Sequence, residues 1–241
     1  MLQVLGEAAR AVRAALDGLD DWGPAGTRPG QYRLDLAADA AALPILHRAG
    51  LAVLSEESGK TGDPAAKLMA VIDPVDGSTN AHRGIPFFAT SICVLDAEGP
   101  LVGVVVNQAT GSHFEAVRGG GARRDGGSVR PSGCVELSSA IVGISGFPGS
   151  HPGWAQFRAL GAAALEFCAV AEGTLDAYSV AGTSTLFGWD YLAGMLICRE
   201  AGAVTTERDG ADLTVRDAAT RRPAVAATQQ LSDQLQAETG L

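Results

Sequence analysis

The 241-residue chain is poor in aromatic residues, which make up 5% of it, and it has no surplus of positive charge. Its 18 Lys and Arg stand against 27 Asp and Glu, a formal net charge of −9. That balance argues against binding nucleic acid or an anionic membrane through bulk electrostatics, leaving only a local cationic site for an anionic substrate. No apolar run approaches the about 18 residues of a membrane span, and the N-terminal MLQVLGEAARAVRAALDGLDDW carries charges throughout. A cytoplasmic location is the expectation. Cysteine is scarce and unpaired: Cys93, Cys134, Cys168 and Cys198 lie far apart with no CxxC, so they read as reduced thiols, mostly in the core. There is no tandem repeat, and no linker long or polar enough to separate independent domains. Apolar residues, at 46%, are ample for a buried core.

Residues 2–17 repeat apolar or alanine positions at helical spacing and predict a first helix, broken by the Gly- and Pro-containing DGLDDWGPAGTRPGQ. LAADAAALPILHRAG predicts a second helix ended by Gly50, LAVLSEES a short strand running into an acidic turn, and GKTGDPAA a flexible loop. KLMAVID reads as a buried strand, ATSICVLD and LVGVVVNQ as antiparallel neighbours, and SHFEAVRGGGARRDGGSVRPSG as a further hairpin. Beyond about residue 135 the pattern alternates: strand AIVGISG, a helix around WAQFRALGAAALEFCAVAEG, strand LDAYSVAG, a helix from WDYLAGMLICREAG, strand AVTTERDG. The expected architecture is α/β, with layers of helix and sheet alternating in one domain over 1–241. Its two packed halves would cover about 1–132 and about 133–241.

The densest chemistry lies in VIDPVDGSTNAHRGIPFF. The strand would leave Asp73 at its C-terminal edge, where open α/β sheets bind ligands, and Pro74 would turn Asp76 back beside it. Two neighbouring carboxylates repel unless a cation sits between them, which points to an oxygen-ligated divalent ion such as Mg²⁺. The backbone carbonyl of Val75 belongs to the same turn. Gly77 and Ser78 would begin a helix whose unpaired N–H groups suit phosphate oxygens. Asp-Pro-x-Asp-Gly is equally a good surface turn with a helix cap. Two further acidic stretches tip the balance toward a site: SEESG, with Glu56 and Glu57 at a strand end, and FGWDYLAG, with Asp190 at a helix start.

Taken in order, SEES, DPVDGSTN with GIPFF, and WDYLAG with EAGA resemble the inositol monophosphatase family of Mg²⁺-dependent, lithium-sensitive phosphatases, from about Asp39 to about Gly202. The resemblance implies the layered α-β-α-β-α sandwich shared with fructose-1,6-bisphosphatase, a homodimer, and two or three Mg²⁺ ions. It implies that Glu56, Asp73 and the Val75 carbonyl hold one ion, and Asp73, Asp76 and Asp190 a second. Ser78 stands where the family usually has threonine and keeps its hydroxyl, which with Glu56 would orient the attacking water. Asp39 matches an additional acidic residue near the weakest metal position, or is an exposed helix carboxylate. Arg28 takes the place of a family lysine near the site, or is a solvated loop arginine. His82 and Arg83 read as a polar helix end. The substrate side would comprise Asp76, Gly77, Ser78 and Asp190, with Gly161, Ala162 and Ala163 presenting amides at a helix start.

Between LDAY and WD, where inositol-specific members commonly carry a glutamate, this chain has SVAGTSTLFG, about three residues longer and without an acid. Thr183, Ser184 or Thr185 would supply hydroxyls instead. The expected activity is hydrolysis of a small polyol or sugar phosphate. Fructose-1,6-bisphosphatase, histidinol-phosphatase and 3′(2′),5′-bisphosphate nucleotidase activity are the alternatives within the superfamily. A nucleotidase calls for a base-stacking or cationic subsite, which the low aromatic content makes less apparent. A non-catalytic protein that keeps the fold and binds a regulatory partner is the reading from another class, and there a metal ligand would be missing. A generic acidic α/β domain does not account for three acidic motifs in order.

Overall fold

The computed structural model describes residues 1–237, so the last four positions of the second expected half lie outside the described residues. Helices α1 (Leu2–Asp17) and α2 (Arg33–Arg48) cover one face of an eight-stranded sheet. Its strands are β1 (Ala52–Ser55), β2 (Gly59–Thr61), β3 (Met69–Asp76), β4 (Ala89–Asp96), β5 (Gly99–Asn107), β6 (His113–Val117), β7 (Ala122–Arg124) and β8 (Gly127–Ser128). They lie in the order β2-β1-β3-β4-β5-β6-β7-β8, and only β1 and β3 run parallel. A short helix, α3 (Ser78–Arg83), follows β3.

The second half of the chain supplies β9 (Ile141–Ser145), β10 (Gln156–Arg158), α4 (Ala163–Ala171), β11 (Ala177–Val180), β12 (Leu186–Phe187), α5 (Gly188–Ala201), β13 (Val204–Glu207), β14 (Thr220–Arg221), β15 (Pro223–Ala226) and α6 (Gln229–Ala237). A five-stranded sheet runs β10-β9-β11-β15-β13, while β12 and β14 form a separate two-stranded ribbon. Helices α4 and α5 lie between the two sheets: their Phe167, Tyr191 and Leu192 share one core with Val71 and Val105 of the first sheet and Tyr178 and Val225 of the second. On the outer face of the second sheet, Leu231 and Leu235 of α6 pack with Val142 and Ala177. The result is the layered α-β-α-β-α sandwich.

Strand β3 positions the chemistry. Because strand side chains alternate, Ala70 and Ile72 bury against α1 and α2 while Val71 faces α4 and α5. Asp73, two residues beyond Val71, falls on the same face as the helix starts of the second half. Register with β4 then breaks between Asp73 and Asp76, so Pro74 and Val75 form a bulge.

Two expectations are corrected. GKTGDPAA is not all loop, since Gly59–Thr61 pairs antiparallel with β1 as an edge strand. The helix expected around WAQFRALGAAALEFC begins only at Ala163; Gln156–Arg158 is an edge strand parallel to β9. Gly161, at φ 79°, stands between them in a conformation that no helix continues through. All four cysteines are free, and burial raises the thiol pKa of Cys93, Cys168 and Cys198. Among the described residues no helix is long and apolar enough to cross a membrane.

Candidate active site

The bulge after Asp73 is held from both sides. Val75 N–H donates to Asp73 Oδ1 at 2.9 Å, and Thr90 Oγ1 donates to the Pro74 carbonyl at 2.8 Å. Gln108, buried beneath, donates to Thr90 Oγ1 at 2.8 Å and to the Ala9 carbonyl at 3.0 Å, tying the turn to α1. Gly77 sits at φ 84°, and a Cβ there would lie 3.0 Å from both the Ala162 Cβ and the Gly161 carbonyl oxygen. The chain therefore needs glycine at position 77 for its dihedral angle and for the approach of the two segments. Helix α3 begins at Ser78, one residue later than the sequence suggested, and runs for six residues.

Four acidic side chains share this end of the sheet. Asp73 and Asp76 are buried, and Glu56 is half-buried just beyond the C-terminal end of β1. Asp190 lies in the first turn of α5 and accepts the Phe187 N–H at 2.7 Å, so it caps the helix from its third residue rather than from the N-cap position. Burial first, and then repulsion from Glu56, Asp76 and Asp190, holds the Asp73 carboxyl well above its usual range. Asp190 is raised by burial and by Asp76 and Glu56, and Glu56 by burial and Glu57. Asp76 is pushed up to about 8, chiefly by burial, although the Ala164 N–H donates to its Oδ2 at 2.7 Å.

Among the described residues no three His, Cys, Asp or Glu side chains are drawn into a closed metal cage. The four carboxylates instead share an electrostatic neighbourhood. Buried like charges of this kind stay ionised together only with a compensating cation, and the donors are all oxygen. This donor set fits a hard divalent ion such as Mg²⁺ better than a thiophilic one.

The remaining expected residues fall as follows. Asp39 is buried, at 7% exposure, and accepts a hydrogen bond from Ser55 Oγ at 2.5 Å, which excludes its reading as an exposed helix carboxylate. Arg28 is not a purely solvated loop residue: it pairs with Glu57 at 2.8 Å and donates to the Glu56 carbonyl at 3.3 Å. Glu57, whose side chain is only 4% exposed, also accepts from Gln31, so one buried acid anchors the 28–31 loop beside Glu56. His82 stacks on Tyr32 with ring centroids 4.9 Å apart, as part of a polar helix end. Thr183 is exposed on the loop after β11, where Ser184 and Ala181 pack against Gly146.

Beside Glu56 opens a cavity of about 740 Å³, lined by Arg28, Gln31, Glu57, Phe187 and Trp189 among others, without Thr183, Ser184 or Thr185. The sequence reading missed the aromatic pair on its wall. FGW carries no periodic signal, and the pairing comes from the ribbon entering α5.

The start of α4 differs from expectation. The amides of Ala163 and Ala164 serve Asp76, and those of Leu160 and Gly161 serve Glu166. Of the three substrate candidates there, only Ala162 has an amide with no acceptor among the described residues. The positive end of the helix dipole stabilises the protein's own carboxylates. Asn80 joins this turn to α3, donating to the Leu160 carbonyl at 2.7 Å and the Phe87 carbonyl at 2.8 Å.

Glu166, which the sequence reading did not single out, is fully buried, and its Oε2 has no hydrogen-bond partner among the described residues. Burial pushes its pKa from 4.5 to about 8. Between those values the folded chain holds a proton that the unfolded chain has lost. Stability from this group is therefore full below about pH 4.5 and falls as pH rises through about 8, by on the order of 5 kcal/mol at most. Glu166→Gln should remove that slope, gaining Tm over the parent progressively from pH 5 to 8 in EDTA. Melting curves that stay parallel across that range would contradict the assignment.

Comparison with known proteins bears on this geometry. Residues 40–239 match the sequence profile of the Inositol monophosphatase family. The chain is 35% identical over 179 residues to an inositol-1-monophosphatase of Mesorhizobium japonicum, a match covering 68% of this chain and 65% of that protein. It is 31% identical over 194 residues to the Nus factor SuhB of Pasteurella multocida, covering 73% and 71%. The inositol monophosphatase structure from Anabaena superposes with a TM-score of 0.81 at 29% identity, over 100% of this chain and 96% of that one.

Proposed function

Since the chain belongs to the inositol monophosphatase family, we propose that it is a Mg²⁺-dependent phosphate monoester hydrolase. Its substrate is a small polyol or sugar phosphate, attacked in line by water. The observation that carries this reading is the meeting of Glu56, Asp73, Asp76 and Asp190, from three separate parts of the chain, at one sheet end. Glu56, Asp73 and the Val75 carbonyl are assigned to one Mg²⁺ and Asp73, Asp76 and Asp190 to a second, with Asp39 nearest a third. Bound there, Mg²⁺ would supply Lewis-acid stabilisation of phosphoryl charge and a lowered water pKa.

The chain's own residues orient the reaction. Glu56 and the Ser78 hydroxyl hold the attacking water, with Glu56 taking up its proton as the oxygen bonds to phosphorus. The Ala162 amide, Gly77 and Ser78 face the phosphoryl oxygens, and Asp76 and Asp190 frame the leaving side. No residue serves as a covalent nucleophile. The two packed halves act as one domain, and a homodimer is the proposed assembly.

Phosphate release from inositol 1-phosphate, fructose 1,6-bisphosphate, histidinol phosphate and adenosine 3′,5′-bisphosphate, with Mg²⁺ and with EDTA, tests the proposal. Release that requires Mg²⁺ is expected from at least one of them. A folded protein that releases phosphate from none contradicts it. The likeness to a protein named Nus factor SuhB supports a second reading, a regulatory protein acting by partner binding. The same null result would favour that one.

A further inference from the structure

We propose that Thr90 and Ser91 are positioning residues for the metal centre. Consecutive hydroxyls on opposite faces of β4, they each grip the main chain of one acidic segment and so set the affinity for Mg²⁺. The inference rests on the metal assignment above and names residues outside the ligand set.

Both side chains are buried, Thr90 at 0% and Ser91 at 1% exposure, in a strand that continues with the apolar Ile92 and Cys93. A hydroxyl in such a place is costly unless it is hydrogen-bonded, so each needs a partner. Because strand side chains alternate, Thr90 lies on the α1 side with Ile92, and Ser91 on the α5 side with Cys93.

Thr90 acts on the Asp73 segment, and its proton has one destination. The carboxamide nitrogen of Gln108 faces the Ala9 carbonyl, which can only accept, so the same NH₂ group also donates to Thr90 Oγ1 at 2.8 Å. The hydroxyl's single hydrogen is thereby directed to the Pro74 carbonyl, at 2.8 Å. In a trans peptide that carbonyl and the Val75 N–H point to opposite sides of one plane. The N–H donates to Asp73 Oδ1 at 2.9 Å. One rigid unit is therefore held by Thr90 at its oxygen and by Asp73 at its nitrogen, and turning it would rotate the Asp73 carboxylate and displace the Val75 carbonyl together. The register break between Asp73 and Asp76 leaves this peptide outside the regular β3–β4 pairing, so the side-chain bond takes over.

Ser91 acts on the other segment. Its Oγ donates at 3.0 Å to the carbonyl of Trp189, the residue before Asp190. Asp190 in turn accepts the Phe187 N–H at 2.7 Å, so the first turn of α5 is bound to β4 next to the acid it carries. Two acidic segments distant in sequence thus take their spacing from adjacent residues of a single strand. Mg²⁺ tolerates little departure from octahedral geometry, so loosening either segment lowers its affinity.

Calorimetric titration of Mg²⁺ into the metal-free protein tests this with a matched control. Thr228 also donates its hydroxyl to a main-chain carbonyl at 2.8 Å, that of Cys134, at the foot of α6, which carries no assigned ligand. Thr90→Val keeps the shape, removes the donor, and should weaken Mg²⁺ binding about tenfold or more, the scale of a lost buried hydrogen bond. Ser91→Ala should weaken it also, and Thr90→Ser should stay within about threefold of the parent. Thr228→Val should lower Tm in EDTA while leaving the Mg²⁺ Kd within about twofold. Melting in EDTA checks that each variant folds, and Ser91→Ala decides the matter where Thr90→Val does not. Kd values for Thr90→Val and Ser91→Ala within about twofold of the parent would overturn the proposal, as would an equal loss in Thr228→Val. So would a Thr90→Ser loss as large as that of Thr90→Val. A parent protein without saturable Mg²⁺ binding would overturn the metal assignment, and the proposal with it.

Discussion

Asp73→Asn is expected to lower Mg²⁺-dependent phosphate release by about a thousandfold or more, the scale on which metal-supplied charge stabilisation acts. Asp73 is the one carboxylate assigned to both ions, and it is buried. The same substitution should have an opposite, structural signature. Without a cation, the ionised Asp73 is disfavoured by burial and by three neighbouring acids, as its raised pKa indicates. Asparagine keeps the shape and removes the charge. In EDTA at pH 8 the variant should therefore melt at or above the parent. In Mg²⁺ the order should reverse, because the parent gains about 2.7 kcal/mol at a hundredfold excess over Kd. For a chain of this size that is roughly 5–11 °C. Undiminished turnover, or a Tm that responds to Mg²⁺ equally in both proteins, would contradict the metal assignment.

Gly77→Ala should have the second largest effect, and Gly84→Ala supplies the control. Both glycines sit at positive φ, 84° and 74°, so each alanine pays about 1 kcal/mol or more for a left-handed conformation. Only at Gly77 does the new Cβ meet other atoms, at 3.0 Å from Ala162 Cβ and the Gly161 carbonyl; nothing lies within 4 Å at Gly84. Gly77→Ala should cost about 2–4 kcal/mol in total, lower Tm by roughly 5–15 °C, and reduce kcat/KM at least tenfold by displacing the α4 start from Asp76. Gly84→Ala should lower Tm by only a few degrees and leave kcat/KM within about twofold of the parent. Equal losses in the two variants would show that backbone strain alone accounts for Gly77.

The order of helices and strands around the site was legible because β3, β4 and β5 are long apolar runs and α1 keeps helical spacing over its whole length. The Asp73-Pro74-Val75-Asp76 turn was legible because two aspartates and a proline are unusual at the end of a buried strand. The short edge strands Gly59–Thr61 and Gln156–Arg158 were not, since three mostly polar residues gain strand structure only from the neighbour they pair with. Asp39 was ambiguous for a similar reason: its burial depends on Ser55, on a different element sixteen positions away. The engagement of the α4 amides by Asp76 and Glu166 is likewise a tertiary outcome with no local signature. The aromatic content, low over the whole chain, concealed that two aromatic residues, Phe187 and Trp189, stack together on the wall of the cavity beside Glu56.

Calorimetric titration of Mg²⁺ into the metal-free protein near pH 7, repeated in buffers of different ionisation enthalpy, tests the central claim most directly. Because Asp76 is pushed up to about 8 without a cation, ion uptake must expel protons. The expected result is saturable binding of at least two ions per chain, with net proton release, and loss of that binding in Asp73→Asn. The absence of saturable binding, or binding that Asp73→Asn leaves intact and that releases no protons, would contradict the account.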